Sequence, residues 1–159
     1  MITTKLNFED IAALGDYLQY VPYDVSRKEL YNADDLYSSD YDTTVYTMAN
    51  RKVVFYKTHF MDFYLGLDDK TRKKVLQVLS WIQSLEIVPV SLMKKIESVK
   101  GLYEIRIEFR SNIFRIFCCF DNGALVVLFN GFQKKSQKTP VGEIEKAERL
   151  MREYFGKRE

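Results

Sequence analysis

Three observations in the sequence predict an α+β fold in which helices pack on one face of a small antiparallel sheet. Apolar residues recur at helical spacing over about residues 68–85 and again near the C-terminus. Between them, residues 103–110 alternate apolar and charged side chains, which is typical of a strand with one buried face. An Asp121-Asn122-Gly123 turn then separates two apolar runs, as in a β-hairpin.

The charge distribution divides the chain into two parts. Residues 1–50 contain three basic and nine acidic side chains, a net charge of −6, whereas residues 51–159 contain 21 basic and 13 acidic side chains, a net charge of +8. We therefore expect an acidic, tyrosine-rich N-terminal extension over residues 1–50 and a basic folded domain over residues 51–159. A basic surface on a rigid sheet favours a phosphate-rich partner.

The extension is expected to begin with a short helix over about residues 7–20. Asn7 is a suitable N-cap, and Pro22 ends the pattern. The apolar residues between them that fall at helical spacing are Phe8, Ile11, Leu14 and Leu18. Residues 23–47 show no period and are rich in Asp, Ser and Tyr. They are predicted to be irregular but too aromatic for a free linker, so they should lie against another surface.

The domain is predicted to open with a strand over Lys52–Lys57, a helix over about His59–Leu65 and a longer helix over about Asp68–Leu85. Asp68 and Asp69 suit the positive N-terminal end of the longer helix. Strands are then expected at residues 103–110, Ile113–Phe120 and Ala124–Phe129. A final helix should begin with Thr139 as N-cap and Pro140 at the first position, and it should end near Phe155. Its predicted core face consists of Ile144, Ala147, Leu150 or Met151, and Phe155.

Several classes of protein are excluded by composition. No run approaches the roughly 20 apolar residues that span a membrane, and Asn7-Phe8-Glu9-Asp10 interrupts the pattern of a secretory signal. The two cysteines, Cys118 and Cys119, are neighbours on a predicted strand, so their side chains point to opposite faces and do not form a disulfide. Reduced thiols favour a cytoplasmic protein without a membrane partner.

Four segments carry a resemblance to a known family. They are Leu102-Tyr103-Glu104-Ile105-Arg106, Phe114-Arg115-Ile116-Phe117, Leu128 with Gly131-Phe132, and Lys134-Lys135-Ser136-Gln137-Lys138-Thr139-Pro140. In this order, residues 51–155 resemble the HigB-like, or phage Gp49-like, toxins of the RelE/ParE superfamily. The resemblance implies a RelE-like fold and the toxin of a type II toxin–antitoxin system: an mRNA endonuclease of the 70S ribosomal A site, inhibited by an antitoxin of the helix-turn-helix class.

The same resemblance implies the site residues. Arg106, Arg115 and Lys134 or Lys135 match the basic residues that such toxins place on the scissile phosphate. An RNA-binding surface is implied for Lys94, Lys95, Gln137 and Lys138. No cofactor and no metal is implied.

The residue types fit this chemistry. RNA is cut without a metal when its own 2′-hydroxyl attacks the phosphate, which requires alignment, proton transfer and stabilisation of negative charge. With a single histidine, His59, the chain has no two-histidine mechanism. An arginine fork binds two phosphate oxygens, a lysine crowded by other cations can exchange a proton, and Glu104 is a further candidate base.

Plainer interpretations stay open. Glu104, Arg106, Glu108 and Arg110 also fit a solvated strand face, the Lys134–Lys138 stretch fits a simple connector, and His59 fits a structural role. Arg115 interrupts an apolar strand and therefore needs a buried partner or a ligand. Arg106 and Arg115 share a face only if paired residue numbers on their strands sum to an odd value, as with a two-residue Ser111-Asn112 turn.

Two other functions compete with the endonuclease: a ParE-like toxin that inhibits gyrase, and a non-catalytic RNA- or protein-binding module on the same fold. The acidic extension departs from the family pattern, which begins near Arg51. It fits a docking segment for a partner, an acidic cover over the basic cleft, or a segment outside the native toxin.

Overall fold

The computed structural model describes residues 18–21, 51–85, 87–122 and 125–156. These residues form six strands and three helices. The strands are β1 (Leu18–Val21), β2 (Lys52–Tyr56), β3 (Met93–Lys95), β4 (Leu102–Phe109), β5 (Asn112–Asp121) and β6 (Leu125–Lys134), and the helices are α1 (His59–Leu65), α2 (Asp69–Ser84) and α3 (Val141–Gly156). None of these helices is long and apolar enough to cross a membrane.

All six strands belong to one sheet, in the order β1-β2-β6-β5-β4-β3. The predicted α+β class is confirmed, and the pairs β6–β5, β5–β4 and β4–β3 are antiparallel as expected. The pairs β1–β2 and β2–β6 are parallel, so the sheet is mixed rather than wholly antiparallel. The parallel pairs join strands that are distant in sequence, which no local pattern specifies.

The helices lie on both faces of the sheet, so the prediction that they share one face is wrong. Helices α1 and α2 pack on one face through side chains such as Phe60, Val75 and Leu79. Helix α3 packs on the other face through Ala147, Leu150 and Tyr154. The apolar runs of β5 and β6 give the reason: strands buried on both faces lose the alternation that marks a one-sided sheet.

The predicted elements of the domain are present, and most of their ends shift by one or two residues. Strand β6 is the exception: it was expected to end at Phe129 but continues to Lys134, so Lys134 lies in the strand and not in the connection that follows it. Asp68 is the N-cap of α2, and its carboxylate accepts a hydrogen bond from the backbone N–H of Thr71 at 3.0 Å. The core face of α3 contains Tyr154, where Phe155 was expected; Phe155 is only partly buried. The Tyr154 hydroxyl donates a hydrogen bond to Asp121 at 2.8 Å, which satisfies its polar end in the core.

The N-terminal prediction needs one correction. Residues 18–20, assigned to the end of a helix, form strand β1, which pairs with β2 from Leu18↔Val53 to Val21↔Tyr56. Pairing along the edge of the sheet outweighs the local helical spacing. The remainder of that helix and the irregular tract lie outside the described residues, so the division at residue 50 stays a prediction.

Two further features of the sheet concern the candidate site. Strand β3 was not predicted, and it brings Lys94 and Lys95 onto the sheet beside β4. The β4–β5 hairpin turns through Arg110 and Ser111, both with positive φ (50° and 65°). Positive φ at both central residues is the geometry of the two-residue turns that match strand twist.

Candidate functional site

The register of β4 and β5 places the two candidate arginines side by side. Arg106 lies directly opposite Arg115. Residues directly opposed in an antiparallel pair share a face, so the register condition is met, although the turn is Arg110-Ser111 rather than Ser111-Asn112. Both arginines lie on the sheet face that α3 covers, called the α3 face below, because the next residues on this face of β5 are Phe117 and Cys119.

A β-bulge brings a lysine onto the same face. Ile116 pairs with Gly131, but two residues later Cys118 pairs with Leu128, so β6 contains one extra residue. Beyond the bulge, Phe132 lies opposite Arg115 and Lys134 lies opposite Ile113. Both are thereby on the α3 face. Without the extra residue Lys134 would point to the α1–α2 face, because side chains alternate along a strand.

Glu104 links the two arginines. Its Oε1 atom lies 3.8 Å from Nε of Arg106 and 3.7 Å from Nε of Arg115. The exposed fraction of the side chain rises from 2% at Arg115 through 10% at Glu104 to 32% at Arg106. The three residues therefore form a chain of alternating charge that runs from the core to the surface.

This chain of charges is incompletely satisfied. Within the described residues, Glu104 Oε2 and the Nε atoms of Arg106 and Arg115 are buried without a hydrogen-bond partner. Arg115 donates one hydrogen bond, from Nη1 to the carbonyl of Phe114 at 2.9 Å. Burial lowers the pKa of the Arg115 guanidinium below its usual value, and the nearby Glu104 carboxylate opposes that effect. An arginine remains charged in a protein, so the three residues carry a net charge of +1.

The predicted lysines are distributed over two faces and a connection. Lys94 lies opposite Glu104 on the α3 face, whereas Lys95 lies opposite Tyr103 on the α1–α2 face. Lys134 ends β6, partly exposed, and Lys135, Gln137 and Lys138 are exposed in the connection to α3. The structure thus brings together Glu104, Arg106, Arg115, Lys94 and Lys134, named here the α3-face cluster. It leaves Lys95 on the opposite face.

Two residues near the cluster were not predicted as site residues. Phe132 is partly exposed opposite Arg115 and stacks on Phe117, with ring centroids 5.7 Å apart and an interplanar angle of 30°. Asn130, beside the bulge, donates hydrogen bonds to the Glu143 carbonyl (3.1 Å) and carboxylate (2.8 Å). Asn130 thereby ties the start of α3 to β6. Asn130 is a polar residue at the end of an apolar run, and this is the sequence signal by which it could have been found.

The cluster can bind a phosphodiester. The side chains of Arg106 and Lys134 make no hydrogen bond within the part of the chain that the structure describes, and both are partly exposed on one face. Their strands are separated by one intervening strand, roughly 10 Å, which two long side chains can bridge around a phosphate. Glu104 and the lysines add groups able to accept or donate a proton.

A comparison with family models identifies the matched part of the chain. The model of the phage-derived protein Gp49-like family (DUF891) matches residues 62–152, more than half of the 159 residues. This stretch contains α2, β3–β6 and the whole α3-face cluster. A search of curated proteins finds no match. The family is a RelE-like toxin family, and membership is compatible with the toxin of a toxin–antitoxin system and with an antitoxin partner. The resemblance seen in the sequence is confirmed: the chain belongs to the phage-derived Gp49-like family.

Proposed function

We propose that this protein is the toxin of a type II toxin–antitoxin system and that it is a ribosome-dependent endonuclease of mRNA. The observation that carries the proposal is the α3-face cluster, in which the partly exposed side chains of Arg106 and Lys134, with no hydrogen bond to any described residue, lie on the same face as the Glu104–Arg115 pair. The family match supports the toxin class. In the proposed reaction, the 2′-hydroxyl of the RNA attacks the adjacent phosphate without a metal ion.

Each residue of the cluster has a task in this reaction. Arg106 binds phosphate oxygens and stabilises the charge that develops on them. Lys134 or Lys135 donates the proton that the departing 5′-oxygen needs. Glu104 is the candidate base for the 2′-hydroxyl: its Oε2 atom has no hydrogen-bond partner among the described residues, and because that atom is buried it would have to become accessible when RNA binds. Arg115 balances the charge of that carboxylate.

The ribosome supplies what the cluster lacks. Glu104 is mostly buried, so the 2′-hydroxyl of an RNA has little access to its carboxylate in the protein alone. Positioning of the message in the A site would align the 2′-hydroxyl with the phosphate. Alignment of this kind can supply a large part of the reduction in an activation barrier. Lys94, Lys135, Gln137 and Lys138 are exposed around the cluster and would bind the RNA backbone. An antitoxin that covers this face would block the reaction.

Primer extension on messages from induced cells tests the proposal. The wild type should cut inside translated codons and arrest growth, and Arg106→Gln should abolish both effects because the phosphate contact is lost. Lys95→Gln is the matched control, since it removes an exposed cation from the opposite face and should leave cleavage intact. Stalled gyrase–DNA complexes in place of mRNA cuts would indicate a ParE-like toxin. Growth arrest with neither product would indicate a non-catalytic binding module.

A further inference from the structure

The two arginines of the α3-face cluster differ strongly in the exposed fraction of their side chains. Arg106 has 32% of its side chain exposed, whereas Arg115 has 2%. Both lie at nearly the same distance from the same carboxylate oxygen of Glu104, 3.8 Å and 3.7 Å. The two guanidinium groups thus share the same carboxylate partner but differ in their access to solvent. This difference indicates that they have different roles.

We infer that Arg115 is a positioning residue, which acts on Arg106 through the Glu104 carboxylate, and that Arg106 is the member of the pair that contacts phosphate. This assignment rests on the proposed function and refines it. It replaces a clamp in which both arginines bind the scissile phosphate directly.

Burial carries the first step of the argument. A phosphate could reach the Arg115 guanidinium only if the sheet face above it opened, because 98% of that side chain is inaccessible. Part of its fork is already used, since Nη1 donates to the Phe114 carbonyl at 2.9 Å. Arg106 needs no such opening, and its guanidinium makes no hydrogen bond to any residue that the structure describes.

Charge balance carries the second step. A carboxylate shared between two arginines neutralises neither of them, so Arg106 keeps attraction for an anion. If Arg115 were neutral, Glu104 would lose the partner that fixes its position, and removal of one partner from a buried ion pair is costly. The Arg106 guanidinium would keep its charge but lose the carboxylate position that aligns it. Arg115 thus keeps Arg106 oriented.

The test compares four variants: Arg106→Gln, Arg115→Gln, Glu104→Gln and the double variant Arg115→Gln with Glu104→Gln. RNA binding is measured with a labelled single-stranded decaribonucleotide over a range of salt concentrations. Cleavage is measured on purified 70S ribosomes programmed with a short message. Circular dichroism and urea unfolding establish that each variant is folded; the double variant has no unpaired buried charge and guards against misfolding of the single ones.

The inference predicts opposite patterns for the two arginines. Arg106→Gln should lower the slope of log K against log salt by about 0.7, the value for one phosphate contact on a single strand. Arg115→Gln should leave that slope unchanged but slow cleavage about 100-fold, as expected when a reacting group is misplaced. In the Glu104→Gln background, Arg115→Gln should slow cleavage by no more than about a further twofold, because the carboxylate through which Arg115 acts on Arg106 is already absent.

Two results would overturn the inference. One is a salt slope that Arg115→Gln lowers as much as Arg106→Gln does, which would make Arg115 a direct contact. The other is a slowing of cleavage by Arg115→Gln that is as large in the Glu104→Gln background as in the wild type. If the wild type binds the decaribonucleotide but does not cleave on ribosomes, the proposed function fails while the slopes still assign the contact. If the wild type does not bind RNA at all, both fail together.

Discussion

The substitution Gly131→Ala should destabilise the fold because the Phe63 ring of helix α1 packs directly against Gly131. Gly131 pairs with Ile116 on the α1–α2 face, beside the bulge. A Cβ atom at this position would lie 2.7 Å from Cγ and 2.8 Å from Cε1 of Phe63, and nearer still to Cδ1. Carbon atoms pack at about 3.5–4.0 Å, so the Phe63 ring would have to move by about 1 Å.

Two effects of opposite sign determine the size of the loss. Overpacking of a core costs about 1–3 kcal/mol, and contact with three ring atoms at once places this case near 3 kcal/mol. Alanine in place of a strand glycine returns about 0.5–1 kcal/mol of backbone entropy. The clash prevails, and we expect a net loss of about 2 kcal/mol in the free energy of unfolding.

Urea unfolding followed by the fluorescence of Trp81, the single tryptophan, measures this change. The midpoint should fall while the m-value stays constant, since neither state changes its exposed surface much. Gly142→Ala is the matched control, because a Cβ there meets no atom within 4 Å and helix propensity favours alanine. An unchanged midpoint for Gly131→Ala would refute the reasoning, as would an equal loss in a Phe63→Leu background, where the ring is absent.

Two further predictions concern the pKa of His59 and a buried hydrogen bond. Burial lowers the pKa of His59, and the charges of Lys146 and Lys57 add to this effect. An NMR titration of this single histidine should therefore have its midpoint below 6.5. Because the pKa is lower in the folded state than in the unfolded state, the contribution of His59 to stability is present above about pH 6.5 and is lost as the pH falls through the folded pKa. A midpoint at or above 6.5 would contradict this. Tyr154→Phe removes the buried hydrogen bond to Asp121 and should lower the free energy of unfolding by about 1.5–3 kcal/mol, whereas Tyr103→Phe, whose hydroxyl has no partner among the described residues, should change it by less than about 0.5 kcal/mol. Equal losses for the two tyrosine variants would show that the Asp121 bond is not the cause.

Local patterns were sufficient for most elements of the domain. Helix α1 has the predicted bounds, and α2 lies within one residue of its predicted bounds at both ends. These features depend on side chains within one or two turns, so a sequence window contains the information. Strand β3 was missed because its three residues carry no alternation that a window can detect. Strand β1 was read as helix because its pairing with β2 lies outside any local window.

The residue types of the site were also readable from the sequence. Arg115 was recognised as a cation in an apolar strand that required a partner, and the structure supplies Glu104 at 3.7 Å. The placement of Lys134 on the same face could not be read, since it depends on one extra residue in β6. Lys94 and Lys95 were treated as equivalent, but they point to opposite faces because side chains alternate along β3.

The sequence by itself determined most elements of the domain, the chemistry available and the family, because periodicity, residue type and short motifs are local properties. Only the tertiary structure decided that α3 packs opposite α1 and α2, that the bulge places Lys134 on the same face as Arg106, and that Arg115 is buried. Each of these depends on hydrogen bonds and packing between segments far apart in the chain. The site therefore arises from register: a shift of one residue between β5 and β6 would disperse the same cations over two faces.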